Sequence, residues 1–398
     1  MSDKFRVGDK IEVFVEKIVP NGLGMCFAEN LTLFVPLSAK GDRLLVELKQ
    51  IKGKTAFAQI VEILEGADSR VDPKCVYFGE CGGCDFQHLA YEAQLEAKVE
   101  IIRDSLRRIG KIDFGEDIPV IRSPEEYGYR LRSQWHLDAN KKQIGYYKRQ
   151  SHQIIDAASC PILDPPLERE LNALRENIAW KEFSSETAHI EAASDGTETV
   201  STFAEEMITP TRELGFRVNG ETFSFSAQTF FQSNKFLIER LAETATGDQK
   251  GMSALDLYCG VGLFSIPLAK RFNTVTGVEG NSRSIGFAEK NLELAGLKNI
   301  TFRSQRVGQF LKEQTQEGNS FDYVLLDPPR SGVKQGALRA MTGLASNRIT
   351  YVSCNPSTLA RDLRVIIDEG FRILKITALD LFPQTHHVET VVHLSKAE

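Results

Sequence analysis

Between residues 10 and 65 apolar and polar positions alternate with period two in short runs. Lys10 to Lys17 reads polar, apolar, polar, apolar, and Asn21-Gly22-Leu23-Gly24 supplies a turn after it. Met25 to Phe27, Leu31 to Val35, Arg43 to Leu48 and Ala56 to Leu64 continue the pattern. Five such segments in one compact stretch predict a small β-barrel of the OB-like kind, a common platform for oligonucleotides. From Leu89 the period changes: Leu95, Val99, Ile102 and Leu106 lie four, three and four apart, which predicts a helix, and Gly110 is placed to close it.

Residues 113 to 225 are less regular, with a strand-rich stretch from Tyr127 to Tyr147 and a helical one from Leu167 to Trp180, and predict an α+β unit. From Phe236 onward helices alternate with apolar strands at Ser253–Leu257, Thr274–Glu279, Asn299–Phe302, Phe321–Asp327 and Arg348–Cys354. That alternation predicts a parallel, doubly wound sheet, and Phe371–Leu381 and Val388–Leu394 add two strands. The expected architecture is therefore α/β: a barrel at 1–65, a central α+β domain at 70–225 and a Rossmann-like domain at 226–398.

Composition bounds the function. The 398 residues carry 48 Lys+Arg against 54 Asp+Glu and only seven cysteines, so neither a disordered chain nor a disulfide scaffold is expected. The mixed-charge start has no apolar leader and no stretch is long enough to span a bilayer, which points to a cytoplasmic protein with no membrane partner; no obligate protein partner is inferred. The net charge of -6 argues against nucleic acid only until it is resolved locally. Arg122 to Arg149 holds seven basic residues and three acidic ones, interleaved with Tyr127, Tyr129, Trp135, Tyr146 and Tyr147, a pattern suited to unstacked RNA. The competing expectation is a strand pair whose aromatics face a core.

The chemistry concentrates at predicted strand ends, where open parallel sheets bind ligands. Asp256-Leu-Tyr-Cys-Gly260-Val-Gly262 follows the first strand of the sheet, and Glu279 ends the next, placed to hold ribose hydroxyls. A dinucleotide would want a third glycine where Ser265 stands, and Asp256 suits a cationic ligand better than a pyrophosphate, which favours S-adenosylmethionine. Asp327-Pro-Pro-Arg330 ends the fourth strand without the aromatic residue usual in amine methylation. Ser353-Cys354-Asn-Pro356 ends the fifth and offers a thiol. Thiolate addition at C6 of a pyrimidine makes C5 nucleophilic, and a base must then remove the C5 proton; Cys354 and Glu389 are the candidate nucleophile and base. RNA cytosine-C5 enzymes carry a second cysteine where Pro329 stands, so uracil is favoured.

These segments, with Phe230-Phe-Gln232-Ser-Asn234, Gly277-Val-Glu279-Gly and His387-Val-Glu389-Thr, resemble the S-adenosylmethionine-dependent RNA uracil-5 methyltransferases over nearly the whole chain. The resemblance implies that Gln232, Tyr258, Glu279 and Asp327 contact S-adenosylmethionine, that Cys354 is the nucleophile and that Glu389 abstracts the proton. The family often has Asn where Leu263 or Arg306 stands, so no cofactor role is carried to those two. Cys75-x5-Cys81-x2-Cys84 with Cys160 makes a three-plus-one thiol set that spacing alone leaves open between zinc and iron–sulfur. The resemblance implies a [4Fe-4S] cluster on these four and a TRAM module in the barrel. Barrel and cluster together favour 23S rRNA as substrate, with a tRNA T-loop uridine second and a non-catalytic RNA-binding iron–sulfur protein as the reading from another class.

Overall fold

The computed structural model describes residues 5–183, 188–206 and 211–397. Strands β1 (Lys10–Val19), β2 (Leu23–Ala28), β3 (Leu31–Pro36), β4 (Arg43–Lys52) and β5 (Thr55–Glu65) close into a barrel in the order β1-β2-β3-β5-β4. Period-two alternation turns Val13 and Val15 inward and leaves Phe14 half exposed. Asn21 and Gly22 turn the chain at φ 70° and 68°, and a Cβ on Gly24 would lie 2.0 Å from the Ser38 hydroxyl, so no side chain fits there.

Helix α1 (Tyr91–Ser105) packs one side against the barrel through Ala97 and Ile101 and carries Ile102 into the large carboxy-terminal core. It runs on into one wide turn, Leu106–Gly110, and the left-handed residue that ends it is Lys111, φ 53°, one position past the glycine expected to do so. Gly110 answers a different need: a Cβ there would meet the Ala360 carbonyl at 2.8 Å.

The central segment contributes β6 (Val120–Ile121), β7 (Arg132–Asp138), β8 (Gln143–Tyr147), β9 (Ile154–Asp156), α2 (Pro165–Asn177), β10 (His189–Ser194) and β11 (Val200–Phe203). Five of these strands form an antiparallel sheet, β11-β10-β7-β8-β9. Tyr129 and Trp135 are buried, and Tyr146 spends its hydroxyl on Trp135 and Ser133. Arg132 is tied to the carbonyls of Ser226, Ala227 and Thr229. Of the two expectations for this stretch, the core-facing one holds for Tyr129 and Trp135, and the side chains of Tyr146 and Arg132 are spent on internal hydrogen bonds. Strand alternation in β7 puts Trp135 in the core, Tyr129 packs beside Cys84 and Ile162 ahead of that strand, and neighbouring carbonyls satisfy the guanidinium.

A hairpin, β12 (Leu214–Val218) and β13 (Glu221–Phe225), leads into the doubly wound unit: α3 (Ile238–Thr246), β14 (Gly251–Leu257), α4 (Ser265–Ala269), β15 (Phe272–Glu279), α5 (Ser282–Leu294), β16 (Ile300–Ser304), α6 (Val307–Glu317), β17 (Phe321–Leu326), α7 (Gln335–Leu344), β18 (Ala345–Ser353), α8 (Pro356–Asp368), β19 (Phe371–Leu379) and β20 (Glu389–Lys396). The eight-stranded order is β16-β15-β14-β17-β18-β20-β19-β6, parallel through β18 and antiparallel on both sides of β20. One face buries α6, α7 and α8; the other buries α3, α4 and the hairpin. The strand order reverses at β14, so the carboxyl ends of β14, β15, β17 and β18 open onto one crevice. Among the described residues no helix is long and apolar enough to cross a membrane.

Candidate active site and cysteine pocket

Gln232 lies in the loop between β13 and α3; every other predicted residue of the crevice sits at or next to a strand end. Glu279 is the last residue of β15, and its carboxylate accepts from the backbone N–H of Gly260 at 3.3 Å and of Asn281 at 2.7 Å. Tyr258, just after β14, holds φ 63°, a left-handed conformation unusual for a tyrosine and typical of a chain bent around a site. Gly260 and Gly262 are left-handed too, and a Cβ on Gly260 would meet nothing within 4 Å, so that backbone is open to the crevice. Asp327 follows β17, where its N–H bonds the Leu257 carbonyl, and Gln232 lies 3.5 Å from its carboxylate. The structure therefore brings Gln232 and Asp327 together, and Tyr258 and Glu279 line the adjoining ends of β14 and β15.

Asp256 is fully buried, and Ser265 donates to one of its oxygens while the other has no partner. Ser265, the residue that breaks the dinucleotide glycine pattern, is thus the hydrogen-bond partner of the acid before the glycines. Burial, with Asp327 and Glu279 nearby, raises the Asp256 carboxyl to about 7, and burial raises Asp327 to about 7 as well. Buried Asp256 and half-buried Asp327 and Glu279 lie close enough to act on one another, an electrostatic environment that favours a cation.

Cys354 and Glu389 are brought together by strand pairing. Ser353 on β18 faces Thr390 on β20, so the next residue on each strand, Cys354 and Glu389, stands at the same end of the sheet. Burial, then Asp327, drives Glu389 well above the carboxylate range, with Arg330 opposing, and its Oε1 has no protein partner. Burial and the Glu389 charge push the Cys354 thiol to about 12, and the Arg330 charge acts against them. Sequence reasoning left Arg330 without a role, and its only signal was its place after Asp-Pro-Pro. Its Nη2 lies 3.4 Å from Nε2 of His387.

The four cysteines of the three-plus-one set meet around one pocket, which Phe78, Tyr146, Pro161 and Ile162 help to wall and Arg130 enters. Among the described residues no group of three or more His, Cys, Asp or Glu converges on a single metal-ion position; the thiols surround a space rather than a point. Burial raises Cys84 to about 12 and Cys160 to about 11, and Arg130 acts against it at both.

A doubly wound sheet in the order found here, with acids and left-handed glycines at the ends of its first strands, defines a methyltransferase of the S-adenosylmethionine-dependent class. The comparisons sharpen the class to a family. The sequence model for tRNA (uracil-5-)-methyltransferases matches residues 163–397. The chain is 32% identical to the 23S rRNA (uracil(1939)-C(5))-methyltransferase RlmD of Vibrio parahaemolyticus over 97% of this chain and 96% of that one. It is 30% identical to an uncharacterized RNA methyltransferase of Thermosynechococcus vestitus over 98% of both. Among solved structures, the tRNA (uracil-54, C5)-methyltransferase of Pyrococcus abyssi, in complex with S-adenosyl-L-homocysteine, superposes with a TM-score of 0.75 at 25% identity, covering 96% of this chain and all of that one. The chain belongs to the S-adenosylmethionine-dependent RNA uracil-5 methyltransferases.

Proposed function

We propose that this enzyme methylates C5 of a specific uridine in 23S rRNA, in the cytoplasm, through a covalent adduct between Cys354 and C6 of the base. The observation that carries the mechanism is the pairing of β18 with β20, which sets a thiol and a buried carboxylate at the mouth of a cation-favouring crevice. Gln232, Tyr258, Glu279 and Asp327 hold S-adenosylmethionine, which when bound supplies an electrophilic methyl group. Arg330 favours the thiolate of Cys354, which adds to C6 and makes C5 a nucleophile. Glu389, held in a dry site, then takes the C5 proton; the electron pair re-forms the C5–C6 double bond as the carbon–sulfur bond breaks and the thiolate leaves. The target base has to leave its stack to reach the strand ends, so a loop or bulge is the expected context.

Residues 1–65 act as a TRAM-type RNA-binding barrel, 70–225 as the iron–sulfur domain and 226–398 as the methyltransferase domain. Cys75, Cys81, Cys84 and Cys160 fit a [4Fe-4S] cluster. Thiols spread around a pocket suit a cluster in which each sulfur takes its own iron. One tetrahedral zinc would need its four sulfurs about 3.8 Å apart, from Zn–S bonds near 2.3 Å. Apolar walls and Arg130 would shield and offset the cluster's charge. Exposed Phe57 stands 5.7 Å from Phe34 beside Lys49 and Lys148 in a groove between barrel and cysteine segment, a fit for stacked bases and phosphates.

The second reading is a tRNA uridine, favoured by the likeness to the Pyrococcus abyssi enzyme. Incubation of the anaerobically purified enzyme with S-adenosylmethionine and unmodified 23S rRNA or tRNA transcripts, with mass-spectrometric mapping of the methylated nucleotide, tests both. Methyluridine in 23S rRNA alone is expected; methylation confined to tRNA establishes the second reading, and methylation of neither overturns both.

A further inference from the structure

The loop Asp380–Val388, which delivers the chain to Glu389, is fastened by residues remote in sequence. The backbone N–H groups of Asp85 and Phe86, the two residues after Cys84, both donate to the Gln384 carbonyl at 3.0 Å. Gln94 of α1 exchanges two hydrogen bonds with Gln384, at 2.9 and 3.1 Å. Lys98, also on α1, pairs with Asp380 in full burial, and Tyr129 donates to the Pro383 carbonyl at 2.9 Å. One charged side chain joins the cysteine segment to the histidines of the loop. Asp85 holds Nδ1 of His386 at 2.6 Å through one oxygen and accepts from Arg149 at 2.7 Å through the other, while Arg149 also donates to the Cys84 carbonyl at 2.6 Å.

From His386 the contacts continue toward the chemistry. The His386 and His387 rings lie 4.1 Å apart, His387 faces Arg330 at 3.4 Å, and the Arg330 charge bears on the Cys354 thiol. The barrel leaves the loop no slack on this side, since a Cβ on Gly22 would touch His386 Cβ at 3.0 Å and Phe86 at 3.2 Å. A loop held at both His386 and Gln384 has one register, and Glu389 begins β20 three residues past His386.

We infer, on the uracil-5 reading given above, that Asp85 is a positioning residue for the methyl-transfer site: by holding His386 it fixes the loop that sets Glu389 as the base, and it couples the cysteine pocket to the step that releases the product. In that step the C5 proton passes to the Glu389 carboxylate and the Cys354–C6 bond breaks, its electrons returning to sulfur. A Glu389 displaced by a fraction of an ångström leaves addition and methyl transfer possible but slows elimination, so the covalent protein–RNA adduct persists.

The test uses the full-length enzyme as Asp85→Asn and, because Asp85 also binds Arg149, as His386→Gln, which leaves the Asp85–Arg149 pair intact. Release of tritium from RNA labelled at uridine C5, the denaturant-resistant protein–RNA adduct, and bound iron are measured together. Expected for both variants is a fall in kcat of about tenfold, the loss of one charge-assisted hydrogen bond, with KM for S-adenosylmethionine within about twofold of wild type. The adduct fraction rises, bound iron matches wild type, and the double variant is no worse than the single ones, as coupled residues require. Unchanged kcat and adduct in His386→Gln overturns the inference, as does a loss in Asp85→Asn that merely follows lost iron. A wild-type enzyme that releases no tritium and forms no adduct instead sinks the uracil-5 reading itself.

Discussion

Binding of S-adenosylmethionine is expected to expel protons, and the crevice sets the size of the effect. Asp256 is buried, with one oxygen bound by Ser265 and the other unpartnered, and both it and Asp327 are raised to about 7. A sulfonium placed among them favours the ionised forms and lowers both values on binding. The sign follows: above pH 8 the carboxylates are already ionised and affinity is at its maximum, and as pH falls through 7 each must first lose a proton. At pH 6 a single carboxyl of pKa about 7 costs about 1.4 kcal/mol, or about tenfold in Kd, and a second makes the loss larger. Titration calorimetry near pH 6 and pH 8, in two buffers of different ionisation enthalpy, measures Kd and counts the protons. The expected result is weaker binding near pH 6 and proton release near neutrality, with the dependence flattened in Asp256→Asn. A Kd constant across that range with no proton exchange would refute the assignment of buried, raised carboxyls to the cofactor site.

Three further outcomes are expected. Glu389→Gln keeps methyl transfer and loses elimination, so a methylated, denaturant-resistant protein–RNA adduct accumulates and turnover falls at least about a hundredfold; turnover near wild type would exclude Glu389 as the base. Lys98→Met leaves Asp380 buried without its cation and is expected to destabilise the fold by about 3–5 kcal/mol in urea, while a loss below about 1 kcal/mol would mean that the pair is dispensable. Phe57→Ala in the barrel groove is expected to weaken RNA binding by about 1–3 kcal/mol in an anisotropy titration, with S-adenosylmethionine affinity unchanged; RNA affinity at the wild-type value would remove the groove from the path of the RNA.

Periodicity made the barrel and the parallel strands legible, because a half-buried strand and an amphipathic helix imprint their faces on the order of residues. Strand ends then located the site, since Asp327, Cys354 and Glu389 each lie where a strand of the sheet begins or ends. Tertiary approach was not legible. β6 is two residues long, too short to show a period, and joins the sheet edge beside β19. Gly110 is required by the Ala360 carbonyl, a contact across 250 residues that no local pattern encodes. Tyr129 and Trp135 carried the composition of an RNA platform, Trp135 also the alternation of a core strand, and burial decided for the core. Arg330, His386 and His387 gain their meaning only when the cysteine segment and the loop before β20 meet, as do Cys75, Cys81, Cys84 and Cys160 around their pocket.

The covalent route through Cys354 is the claim on which the rest depends, and nucleoside mass spectrometry of RNA treated with the Cys354→Ala enzyme tests it most directly. Wild-type enzyme should yield 5-methyluridine in the target RNA, and Cys354→Ala should yield none while still binding S-adenosylmethionine and RNA. Formation of 5-methyluridine by Cys354→Ala would contradict the account.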